Sequence, residues 1–377
     1  MNILTIGGAT QDILLQYDDA DFMTISQRKG SQSYLLFEAG EKIEVDSLIN
    51  LTGGGATNVA VSFSRQGFKT TCVCSIGNDH AGKQITDDLQ QEHVCIDHLT
   101  KSATMSTGMS YIITSQHNDR TIFTYRGANT QLSITDIKEE IVAGASYIYI
   151  TSLSGKASEH LTAITKLAKK HAIPVAINPG KSQLAKKPEQ LLAALPYVDV
   201  LILNSSEAKL LMTTLIQQTK DFHRAFTSTS SSNPCALNQQ DNTAYLLAQP
   251  IACQDMFFSL AQFFTTMLGL GPQIVAVTNG ANGVYVADKK TVYFHPSIRT
   301  NVVNTVGAGD AFGSAFIGSL IKQKTIPEAL IRGIINSASV LSHVGAKAGL
   351  LTTSALETKA LERSSTTQTF NLSICHD

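Results

Sequence analysis

The sequence predicts an α/β protein: a doubly wound, mostly parallel sheet flanked by helices, with a small β-lid attached. Two observations predict it. Short β-rich runs alternate with helical stretches along most of the chain, and strands separated by helices imply a parallel sheet covered on both faces. Two segments, 12–50 and 104–127, break that rhythm with strand-like pieces around polar turns, the pattern of a flap that could close over one end of a sheet.

The elements follow in order. Asn2–Ile6 is predicted as a strand and Ala56–Gln66 as a helix opened by glycines. Thr70–Ile76 is a strand, and Gly82–His93 a helix with Ile85 and Leu89 at i, i+4. Tyr147–Ile150 is a strand and Glu159–His171 a helix; Pro174–Asn178 and Val198–Leu203 read as two more buried strands. Ile274–Thr278 is another strand, and helices over Ala308–Lys322 and Pro327–His343 close the pattern. In the lid, Gln11–Asn50 holds aromatic and aliphatic residues without helical spacing, and Met109–Tyr125 alternates around the turn His117-Asn118-Asp119-Arg120. The core domain then comprises residues 1–11, 51–103 and 128–377. Residues 213–254 are polar and low in complexity and read as a partly disordered insertion. The tail after Leu351 reads as one short helix and a frayed end.

Composition excludes several classes. With 29 Lys and Arg against 30 Asp and Glu, the net charge is −1, and no basic face argues for nucleic acid. The N-terminus lacks the basic start and apolar stretch of a signal peptide. No apolar run approaches the ~20 residues that span a bilayer. The expectation is a cytoplasmic protein with no membrane partner. Six cysteines without zinc-site spacing fit reduced thiols.

The strongest chemical signal is Asn304-Thr305-Val306-Gly307-Ala308-Gly309-Asp310, which leads into an apolar helix. Gly307, Ala308 and Gly309 can present successive backbone N–H groups at a helix start, where the dipole favours an anion. Asp310 beside that anion site suits taking a proton from an attacking hydroxyl. The alternative is a plain glycine turn with Asp310 as an N-terminal cap. A second signal, Gly53-Gly54-Gly55-Ala56-Thr57-Asn58, again runs glycines into a helix. Its glycines allow close backbone approach, and Asn58 offers both donor and acceptor to a sugar hydroxyl. A third stretch, Gly77-Asn78-Asp79-His80-Ala81-Gly82-Lys83-Gln84, imitates a P-loop but ends in Gln84, where a magnesium-binding hydroxyl is required. Gly7-Gly8-Ala9-Thr10 lacks dinucleotide-fold spacing.

Together, Gly53–Asn58, Asn204-Ser205-Ser206-Glu207 and Asn304–Asp310 resemble the ribokinase-like (PfkB) carbohydrate kinase family in order and spacing. The resemblance implies an ATP-dependent phosphotransferase acting on a hydroxyl, CH2OH foremost, of a sugar-like substrate. It assigns Asp310 as catalytic base and Gly307, Ala308 and Gly309 as anion hole. Asp12, Gly54, Gly55 and Asn58 match substrate-holding positions, with Arg126 a further candidate where the lid returns to the core. Asp12 could equally be a solvated turn residue, and Arg126 a solvated hinge. Asn204 and Glu207 match a motif that organises Mg²⁺ and phosphate through water. A first-turn helix acid is the other reading of Glu207. Thr278, Gly280, Gly283 and Asn336 match nucleotide-side positions, and Asn178-Pro179-Gly180 also looks family-like.

Relatives usually begin the late motif with Asp, near which many bind a monovalent cation. Here it is Asn304, and without that charge the resemblance gives K⁺ little support. Two rivals stay open: a nucleoside kinase using Phe22, Tyr34 or Phe37 to stack on a base, and a non-catalytic sugar- or nucleotide-binding regulator. A homodimer through the lid is a further expectation of the resemblance.

Overall fold

A computed structural model describes residues 1–17, 19, 21–27, 30–114, 120–218, 251–253, 256–363 and 367–372. Period-two alternation builds its main sheet. In the strand Asn2–Ile6, Leu4 and Ile6 enter one apolar cluster and Ile3 the other. The same split separates Ile148 and Ile150 from Tyr147 and Tyr149, and Leu201 and Leu203 from Val200 and Ile202. Both faces are therefore buried. Residues of helices Leu161–Lys170, Ser205–Gln218 and Leu260–Gly269 pack in the first cluster; those of Gly55–Arg65, Ala308–Ile321 and Ile326–Leu341 pack in the second.

The sheet has nine strands, in the order 368–371, 291–295, 284–287, 274–278, 200–204, 175–177, 147–150, 2–6, 69–73. Neighbours from 274–278 to 69–73 run parallel; the strands beyond 274–278 are antiparallel. From Asn2–Ile6 the chain goes first to one side, Lys69–Val73, and later to the other, Tyr147–Ile150. Strand order thus reverses at Asn2–Ile6, and ligands of open parallel sheets bind outside the carboxyl ends at such a point.

A smaller sheet takes strands in the order 120–125, 108–114, 10–16, 47–53. Asp12 sits there opposite Leu51 on one side and Ser110 on the other. A separate hairpin pairs Asp21–Gln27 with Gly30–Leu36.

Several elements differ from the sequence expectation. The tail does not simply fray: Gln368–Asn371 is the edge strand of the main sheet, paired with Thr291–His295. Its residues are mostly exposed, so it has no apolar alternation to read, and ladder hydrogen bonds hold it. Val284–Ala287 and Thr291–His295 are additional antiparallel strands. The predicted strand Thr70–Ile76 divides, with Lys69–Val73 in the main sheet and Ser75–Gly77 paired with Thr100–Ser102. Of the expected insertion, residues 213–218 continue the helix Ser205–Gln218, and Ile251–Cys253 pairs with Met256–Phe258. Residues 219–250, most of the lid turn at 115–119, and the last residues 373–377 lie outside the described residues. Among the described residues no helix is long and apolar enough to cross a membrane.

Candidate active site

Two helix tips meet at the switch point, and both lack a side-chain cap. The helix Ala308–Ile321 is anchored by buried Ala311, Phe312, Ala315 and Phe316. Its N-cap is Gly307, at φ +80 with no side-chain hydrogen bond. Only glycine adopts that left-handed conformation freely. A Cβ there would also lie 2.6 Å from Ala346 Cα. The first N–H groups of any helix have no intrahelical acceptor, and here no capping side chain covers them. Around Gly309 a Cβ would meet nothing within 4 Å. The tip is open and electropositive.

The second tip is Gly54, at φ +97, which opens the helix Gly55–Arg65, again without a side-chain cap. A Cβ on Gly54 would fall 2.5 Å from Ala9 Cα and from Gly8 O, so this turn presses against the end of the first strand. Asn58, on the first turn, donates from Nδ2 to Asp310 Oδ2 at 2.8 Å. Its Oδ1 is buried with no partner among the described residues, an acceptor left over for a hydroxyl.

Electrostatics gather three carboxylates. Burial raises Asp310 to about 6; the Asn58 hydrogen bond opposes this, and the charges of Glu207 and Asp12 add to it. Asp12 is 6% exposed and accepts from Thr10 Oγ1 at 2.9 Å, so it is not a solvated turn residue. Burial raises its carboxyl, against hydrogen bonds from Thr10 and Ser110 and the charge of Lys347. Glu207 is also raised by burial, against its bonds to Asn204 and the charge of Lys181. Asn204 and Glu207 close a reciprocal box at 2.9 Å each way: Asn204 N–H donates to Glu207 Oε2 and Glu207 N–H to Asn204 Oδ1. That box starts the helix Ser205–Gln218 and fixes the Glu207 carboxylate.

Thr278, expected on the nucleotide side, pairs with Asn204 in the parallel register. Gly280, at φ +54, has open space where a Cβ would stand, while a Cβ on Gly283 would fall 2.9 Å from Pro296 Cα. Gly280 can admit a ligand; Gly283 shapes the turn. A Cβ on Gly55 would meet Thr151 Oγ1 at 2.8 Å, so Gly55 packs the strand end.

Other expected residues stand apart. Arg126 is exposed at the start of the turn Gly127–Thr130. Asn336, expected beside the adenine, has its amide engaged within the protein. It is fully buried, donating to Ala311 O at 2.8 Å and accepting from Leu351 N–H at 2.9 Å. These bonds tie the helix Ile326–Leu341 to the helix Ala308–Ile321 and to the segment at Leu351. Asn304 Oδ1 accepts from Val306 N–H at 2.8 Å, and its Nδ2 is buried without a partner among the described residues. An amide oxygen keeps a second lone pair but carries no charge, so Asn304 is a weaker ligand for a monovalent cation than an aspartate in its place.

Sequence reasoning passed over Asn129. Its amide grips Ala9 from both ends, accepting from Ala9 N–H at 2.8 Å and donating to Ala9 O at 2.7 Å. It thereby fixes the approach to Asp12. It also passed over Lys181, whose charge acts on Glu207. Their signals, an Asn and a Lys just beyond quoted motifs, have no pattern of their own.

With this geometry in place, the sequence pattern of pfkB family carbohydrate kinases matches residues 26–247 and 260–353. The chain belongs to that family. This kinase is 24% identical over 317 residues to a ribokinase of Staphylococcus aureus, covering 83% of this chain and 90% of that one. It is also 24% identical over 331 residues to an ATP-dependent 6-phosphofructokinase of Thermoanaerobacterium thermosaccharolyticum, covering 88% and 91%. Its fold matches Arabidopsis thaliana ribokinase, solved with ribose and ATP, at a TM-score of 0.71 and 20% identity, over 96% of this kinase and 99% of that chain.

Proposed function

We propose that this kinase transfers the γ-phosphoryl group of ATP to the CH2OH of an unphosphorylated, ribose-like sugar, with Asp310 as base. One observation carries the reading: Asp310, held by Asn58 at 2.8 Å and raised to about 6, stands on the first turn of an uncapped helix. A carboxyl at that value is ionised at neutral pH yet more basic than an ordinary one. It takes the hydroxyl proton as the oxygen attacks phosphorus; the new O–P bond forms as the bond to the ADP oxygen breaks. The amides from Gly307 to Gly309, left without a side-chain cap, stabilise charge on the transferring group. Asp12, Gly54 and the free Asn58 Oδ1 supply hydroxyl contacts, and Asn204, Thr278 and Gly280 the nucleotide side.

Mg²⁺ fits the donor set. Glu207 has its carboxylate fixed by Asn204 N–H, and one carboxylate with retained waters suffices. Bound there, Mg²⁺ would neutralise phosphate charge that three nearby carboxylates otherwise repel. K⁺ has no such support from Asn304.

The nucleoside reading gains nothing from the rings. Phe22 and Tyr34 lie on the separate hairpin, and Phe37 stacks on Tyr17 with centroids 6.3 Å apart. One face of the four-stranded sheet exposes Leu48, Tyr111, Phe123 and Tyr125, a face suited to a second copy of the chain. Sedimentation should give a dimer for the native chain and a monomer for Phe123→Asp.

The test is coupled ADP release over pentoses, hexoses, phosphosugars and nucleosides, in K⁺ and in Na⁺. Turnover should be highest with a pentose or hexose and equal in both salts. ADP release with nucleosides alone, or with no acceptor, would overturn the proposal.

A further inference from the structure

We propose that Lys347 is a positioning residue that locks the lid strand Ser47–Gly53 and the Gly307 turn into one arrangement, so that the sugar side and the anion side form together. The proposal rests on the reading of Gly307–Asp310 given above. Three consecutive residues of one loop reach three places. A Cβ on Gly345 would lie 2.6 Å from Leu51 Cδ1, so the loop backbone lies directly against the lid strand. Ala346 packs behind Gly307. Lys347, only 9% exposed, donates from Nζ to Thr52 Oγ1 at 2.8 Å and to Asp88 Oδ2 at 2.9 Å. Thr52 donates to the same carboxylate.

The loop is also held from its outer side. Arg65 Nη1 donates to the carbonyls of Lys347 at 2.8 Å and Leu350 at 3.0 Å, while Nε and Nη2 bind Glu92 at 2.9 and 2.5 Å. Arg65 ends the helix that begins at the Gly54 tip. The loop therefore touches the lid strand, the anion turn and the helix of Asn58. Leu51 lies opposite Asp12 in the sheet, and Gly53 leads directly into Gly54. A shift of this strand moves Asp12 and Asn58 together, and the loop passes it to Gly307. The Lys347 charge also acts on Asp12, against the rise that burial causes.

An ordinary buried ion pair predicts something narrower. Breaking it would loosen Thr52 and Asp88 and leave the Gly307 turn unchanged. Packed elements transmit a shift because they have few alternative arrangements. Lys347→Met keeps the stem and removes the charge.

Hydrogen exchange of the full chain separates the two, read on peptides covering 47–53, 86–90 and 303–312. In Lys347→Met without nucleotide, exchange should quicken in both 47–53 and 303–312, by about tenfold. Faster exchange confined to 47–53 and 86–90 would overturn the proposal. If Lys347→Met does not fold, Thr52→Val, which removes one of its two partners, gives the same contrast with a smaller change. A second arm adds Mg·ADP to the native chain and reads 303–312. Absence of protection there counts against the nucleotide reading of the site, while the nucleotide-free arm still decides the role of Lys347.

Discussion

Two glycine turns in this chain look alike in sequence and behave oppositely. Gly77–Gln84 follows a strand and opens the helix His80–Gln91; Gly307–Asp310 opens the helix Ala308–Ile321. In the first, the protein fills its own anion site. Asp79 accepts from Gly82 N–H at 2.8 Å and from Thr107 N–H and Oγ1 at 2.8 and 2.6 Å, and Gly77 N–H donates to Thr107 Oγ1 at 2.9 Å. Burial acts to raise Asp79, but these bonds outweigh it and its pKa is lowered. In the second, no side chain caps the tip and Asp310 is raised to about 6. A turn whose amides are occupied is structure. A turn whose amides are left open, beside a carboxyl short of donors, can do chemistry. Glycine spacing alone does not separate the two; the partners do.

The largest expected effect tests the open turn. Asp310→Asn should lower turnover by roughly 10²–10⁴-fold, with a circular-dichroism spectrum unchanged from the native chain. The native pH profile should fall below about 6 as Asp310 protonates. The sign for stability is opposite. The folded chain holds the Asp310 proton more tightly than the unfolded chain does, so stability from this group declines as pH rises from the ordinary 3.8 through about 6. Asp310→Asn should therefore melt no lower than the native protein at neutral pH. A flat pH–rate profile between 5 and 7, on the order of one pKa unit either side of the titration, would remove Asp310 from the role of base.

Next comes Gly307→Ala. A side chain at φ +80, with its Cβ 2.6 Å from Ala346 Cα, must displace the turn. Turnover should drop about 10²-fold, the scale for removing an oxyanion donor. Unchanged kinetics would show that the tip does not hold the phosphoryl group. The smallest effect on catalysis tests the filled turn. Asp79→Ala should cost about 1–2 kcal/mol of stability through the lost cap and leave kcat unchanged. Because the Asp79 pKa is lowered, its contribution is present above the ordinary 3.8 and lost as pH falls. Melting curves at neutral and acidic pH should show the native and variant proteins converging. A loss of turnover exceeding the loss of stability would blur the contrast.

The candidate site was partly legible because its parts are local. Gly307–Asp310 and Gly53–Asn58 each announce a helix tip in a few residues, and Asn204–Glu207 carries the spacing of a capping box. Other residues depend on partners that the sequence does not show. Asn336 has the composition of a ligand contact, yet both ends of its amide are spent on Ala311 and Leu351. Lys347 stands in no motif, and its importance comes from partners far away in sequence, Thr52 and Asp88.

By itself, the sequence determined the alternation that covers a parallel sheet on both faces, and the glycines that only special backbone angles require. Periodicity and turn chemistry act over a few residues, so they are written locally. Tertiary structure alone decided that Asn58 meets Asp310 across 252 positions, that Gln368–Asn371 joins the main sheet, and which glycine turn keeps its amides free. Each of these depends on a partner brought close by folding, and a donor or acceptor does not record in its own neighbourhood what it will bind.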